Sequence, residues 1–90
     1  MIDEKIKLRI SEKMVQEIDK MPELATLNRF TAAASILQLA IRTGDVPFEQ
    51  EAKVVLFGMI EKEFNSYDSD NFGEDKYEEY LLRLYFYYNG

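Results

Sequence analysis

Residues 5–11, KIKLRIS, alternate strictly between polar and apolar: Lys5, Lys7 and Arg9 share one parity, Ile6, Leu8 and Ile10 the other. Period-two alternation predicts a half-buried strand with one apolar and one cationic face. The pattern then changes period. Met14, Val15, Ile18 and Met21 follow helical spacing, with Ser11 as a candidate N-cap before Glu12 and Pro22 marking the end. Asn28, or Thr31 as a rival cap, opens a second predicted helix over residues 29–43, and Gly44 suits its C-terminal stop. Phe30, Ala33, Ala34, Ile36, Leu37, Leu39, Ala40 and Ile41 make this helix apolar nearly all round, so it calls for burial on more than one side. A third helix is expected from about Pro47 to Asn65 on the face of Ala52, Val55, Leu56, Met59 and Ile60. An acidic turn follows at 66–75. A last helix carries Tyr77, Leu81, Leu84 and Tyr88 on one face, although LYFYY at 84–88 also has strand composition.

Ninety residues bound the chain to one small domain or a very small domain with an appendage, with little core to spare. There is no cysteine and no histidine, which removes thiolate chemistry, the commonest general base and the commonest zinc ligand. An enzyme is therefore not expected, nor a cofactor. The longest apolar run, residues 30–41, is too short to span a bilayer, and the N-terminus lacks a signal-peptide core, so a cytoplasmic protein without membrane attachment is expected. The net charge of -6 changes the picture because it is uneven. Residues 1–46 hold seven basic and seven acidic side chains, while residues 47–90 hold four basic against ten acidic. Two jobs on one chain are the natural reading.

One strand and two helices cannot close a core alone, and antiparallel pairing of two strands across a two-fold axis is the natural remedy. Ile6, Leu8, Ile10, Ile36, Leu37 and Ile41 would then form a dimer core. Lys5, Lys7 and Arg9 would be displayed twice on the outer face, about 6.6 Å apart along each strand. The major groove of DNA, roughly 12 Å wide, admits such a ribbon.

IKLRISEKMVQEIDKM followed by LNRFTAAASILQLAIRTG resembles the ribbon-helix-helix family over residues 5–44. The resemblance implies a mainly α fold: a β-α-α unit over residues 1–45, dimeric through an intermolecular antiparallel two-stranded ribbon, with a helical extension over residues 46–90. It implies a homodimeric DNA-binding transcriptional regulator, in which Lys5, Lys7 and Arg9 contact base edges in double-stranded DNA and Asn28, Arg29 and Phe30 grip a phosphate. Pro22 in the helix connection and Phe30, in place of a small hydroxyl residue, depart from the family pattern. Lysines on an exposed strand also serve simply to block unwanted pairing.

The second half offers two further readings. DSDNFGEDKYEE, residues 68–79, matches a calcium loop at Asp68, Asp70, Gly73 and Glu79, but Phe72 stands where an oxygen ligand belongs. A solvated acidic turn is the plainer expectation, with no metal. The tyrosine-rich tail either packs on the core or, with the acids around it, engages a basic partner protein. That second possibility makes the chain an interaction module, for example an antitoxin.

Overall fold

The computed structural model describes residues 2–87, and those residues contain helices and no strand. Five α-helices follow in order: α1, Glu4–Lys20; α2, Arg29–Thr43; α3, Val46–Phe64; a single turn, α4, Ser69–Phe72; and α5, Tyr77–Tyr85. Short 3₁₀ segments at Pro22–Thr26 and Glu74–Lys76 join them.

The predicted strand is the first half of α1, and with it go the β-ribbon, the β-α-α unit and ribbon-mediated dimerisation. The physical reason lies in spacing. Ile6 and Ile10 share a parity, but they are also four apart, and Ile2, Met14 and Ile18 continue the same row before and after them. An i, i+4 row that long lies along one face of a helix. Leu8 is the residue that separates the two readings. A strand places it beside Ile6 and Ile10, whereas here it is 40% exposed while Ile10 is fully buried. Asp3, not Ser11, caps the helix: its carboxylate accepts from the Lys5 N–H at 2.7 Å. Ser11 is buried within the helix and its hydroxyl donates to the Lys7 carbonyl at 2.8 Å.

The second helix matches its expected bounds and caps. Asn28 and Thr31, read as rival caps, act together as a capping box: the Asn28 carboxamide oxygen accepts from the Thr31 N–H and the Thr31 hydroxyl accepts from the Asn28 N–H, each at 3.0 Å. Gly44 closes the helix in the left-handed region at φ 72°. Asp45 restarts the chain by capping α3 at the Phe48 N–H, with Pro47 in its first turn. Helices α2 and α3 thus form a tight antiparallel hairpin. The acidic segment after α3 holds more structure than a turn, since Asp68 caps α4 at the Asn71 N–H. The last helix is α5 over Tyr77–Tyr85, so residues 81–85 are helical; Tyr88 lies outside the described residues.

One core serves both halves. The α1 row meets Phe30, Ala34 and Leu37 of α2, the row Ala52, Leu56, Ile60 and Phe64 of α3, and Tyr77, Leu81, Leu82 and Phe86 around α5. The shortest extent of the fold is 16 Å, room for about two helix layers at the usual separation of roughly 8–10 Å. Each helix therefore keeps an outer face in water. This explains why α2, apolar nearly all round, leaves Ile36, Leu39 and Ile41 about half exposed while Leu37 is buried.

Helical α1 makes neighbouring apolar residues unequal. Ile10→Ala is expected to lose about 2–4 kcal/mol of unfolding free energy, and Leu8→Ala less than about 1 kcal/mol. Urea denaturation of the two variants measures the difference; equal losses would contradict the helix.

Candidate functional site

Two of the three residues expected to read DNA, Lys7 and Arg9, are turned toward the chain's own acids. Arg9 Nε donates to Glu78 Oε2 at 2.9 Å, and Lys13 Nζ, one turn on, lies 3.1 Å from Glu78 Oε1. Glu78 is held between them with its side chain 12% exposed. Lys7 Nζ lies 3.5 Å from Glu61 and 5.9 Å from the centre of the Phe57 ring. Lys5 is exposed in the first turn of α1. The three residues share no strand face, so the comb of six cations is not formed. At the expected phosphate grip, Phe30 is a core residue stacked on Tyr85 with ring centres 4.3 Å apart. The Asn28 amide donates to the Tyr85 carbonyl at 3.1 Å. Only Arg29 of that trio is exposed. Of the expected dimer core, Ile10 and Leu37 are buried within the chain, Ile6 is half-buried, and Leu8, Ile36 and Ile41 are exposed.

The unequal charge of the two halves now has a mechanical role. Cations of α1 meet acids of α3 and α5, so the halves attract one another and close on a common core. Each half-exposed pair contributes modestly, about 1 kcal/mol or less, and the shared Glu78 fixes which face of α1 turns toward α5.

The concave feature with the most distinctive chemistry lies elsewhere, on the acidic segment. Tyr67, Phe72 and Tyr80 wall an open concavity of about 680 Å3 between the α3–α4 connection and α5. Its aromatic wall is built in layers. Tyr77 is fully buried at the base, and its hydroxyl donates to the Ile60 carbonyl at 2.6 Å. Phe64 meets Tyr77 edge-on at 4.9 Å, and Tyr67 stands 4.9 Å from both Tyr77 and Tyr80. The Tyr67 hydroxyl donates to the Gly73 carbonyl at 3.0 Å, tying the ring to the acidic turn. Gly73 has φ 82° and ψ 149°, a backbone conformation that residues with a Cβ rarely adopt, so glycine is favoured at this corner. Phe72, the residue that spoils the calcium pattern, is 60% exposed and faces the concavity.

Asp68 and Glu79 stand at the rim with Lys76 and Arg83, and Arg83 is held by Glu79 at 3.4 Å. The local field is negative: the Tyr67 phenol is pushed above its ordinary value by burial first, then by Asp75 and Asp68. Residues 61–79 contain eight acidic side chains and two lysines, a net -6 equal to that of the whole chain. The sequence signal for this site was an aromatic residue alone among acids in DSDNFGED, which reads as a defect only when a metal loop is sought.

No family model, no curated protein and no solved structure matches the chain. No helix among the described residues is long and apolar enough to cross a membrane.

Burial pushes the Tyr77 phenol well above the ordinary tyrosine value of 10.0. The folded chain then keeps a proton that the unfolded chain releases above about pH 10, so this stabilisation is complete below that pH and is lost as pH rises beyond it. Tyr77→Phe should lose about 1 kcal/mol at neutral pH through the missing hydrogen bond. Its deficit should shrink at alkaline pH, because only the wild type carries the ionisable group. Urea midpoints at pH 7 and pH 11 measure this; a deficit that widens with pH would contradict the assignment.

Proposed function

We propose that the chain is a protein-interaction module whose acidic, tyrosine-rich second half takes a basic segment of a partner protein. The observation that carries this reading is the Tyr67–Phe72–Tyr80 concavity within the segment that holds the whole net charge. A solvent-exposed aromatic wall is suited to the flat face of a guanidinium or the stem of a lysine, which gains from the ring quadrupole as well as from apolar contact. Asp68 supplies counter-charge at the rim, where Glu79 is paired with Arg83 and Lys76 stands beside them, and the acids of the surrounding segment raise the rate of encounter with a cationic ligand. Layered support from Tyr77 and Phe64 keeps the wall preformed, so little ordering entropy is lost when a ligand arrives. DNA carries the opposite charge to the ligand this surface suits, and of the cations expected to meet it on α1, Lys7 and Arg9 are engaged with Glu61 and Glu78.

A hexa-arginine amide peptide is the direct probe, followed through tyrosine emission, since the chain contains no tryptophan. Binding should weaken with added salt. Phe72→Ala combined with Tyr80→Ala should weaken it about tenfold, the loss of roughly two exposed cation–π contacts. Equal binding of hexaglutamate, or unchanged affinity in the double variant, would overturn the reading.

A further inference from the structure

We propose that the outer groove between α2 and α3 is an interface for a second copy of this chain. The groove holds about 420 Å3 and its floor and walls include Ile36, Phe48, Val55 and Met59. Ile36 is 48% and Val55 57% exposed, on a helix pair whose opposite sides already fill the core. Among the described residues, the two-layer build leaves no element to cover them.

Charge identifies the occupant. Arg29 and Glu51 are the charged residues lining the groove, and neither forms an ion pair among the described residues. Because α2 and α3 run antiparallel, Arg29, at the start of α2, lies toward the Met59 end of the groove. Glu51 lies toward the hairpin end, and Ile36 and Val55 fall between them. A two-fold axis through Ile36 and Val55 carries each Arg29 onto the opposing copy's Glu51, so one operation forms two ion pairs and buries one apolar strip on its twin. Such reciprocity is what an isologous interface requires. The strip is also free of the acidic excess of residues 61–79, so two copies meet where their repulsion is least concentrated.

This interface uses residues separate from the aromatic concavity, so either surface can fail alone. Sedimentation equilibrium across the micromolar range should show a dimer for the unaltered chain. Val55→Glu should raise the dimer dissociation constant more than tenfold, with an unchanged circular dichroism spectrum. Arg29→Glu should weaken the dimer, and Arg29→Glu with Glu51→Arg should restore it. A monomer throughout, a dimer indifferent to Val55→Glu, or a charge swap that fails to restore association would each overturn the proposal.

Discussion

Burial of one row on α1, formed by Ile2, Ile6, Ile10, Met14 and Ile18, is the constraint to which the other helices answer. A row spaced by four residues lies along one side of the helix, so it needs a long, narrow trough to cover it. Helices α2 and α3 supply that trough as an antiparallel hairpin, with the row Ala52–Leu56–Ile60–Phe64 offering matching spacing. The segment around α5 closes it with Tyr77, Leu81, Leu82 and Phe86. Ion pairs from Arg9 and Lys13 to Glu78 then fix the rotation of α1 about its own axis, so that the apolar row turns inward.

The same constraint shapes the surfaces. A fold about two helices thick leaves much of α2 and α3 facing water, which places Ile36 and Val55 together outside the core. On the other part of the molecule, buried Tyr77 acts as a foundation on which Tyr67 and Tyr80 stand without being covered themselves. Exposed aromatic and aliphatic surface here is a result of thinness in one case and of layering in the other. The two surfaces differ in charge as well: a single opposed pair on the hairpin, a strongly acidic surround at the concavity.

Local signals with one physical meaning were legible in the sequence. Asn28 and Thr31 mark the start of α2 because both can satisfy open N–H groups, and Gly44 marks its end because the left-handed turn disfavours other residues. The apolar excess of α2 was legible as well, though not which of its sides the chain would cover. The start of α1 was not, because KIKLRI satisfies period two and period four at once. Length arbitrates between them: a row from Ile2 to Ile18 exceeds any ordinary strand, but it is visible only if the window crosses Ser11. Charge asymmetry was ambiguous for a similar reason. Two halves of unequal charge suit separate tasks, and equally suit mutual attraction; the pairing of Lys7 with Glu61 and Arg9 with Glu78 adds the attraction, which the sequence alone did not reveal. The aromatic concavity depends on chain reversal between α3 and α5, a tertiary fact that spacing alone does not carry.

The pairing of Arg9 with Glu78 spans 69 residues. A chain growing from its N-terminus makes the apolar row of α1 long before it makes Tyr77, Leu81, Leu82 and Phe86. Until those residues leave the ribosome, the row is covered by the hairpin alone and part of it stays open to solvent. Contacts of such long range form after local ones, so the core of this fold closes only once its last helix is in place.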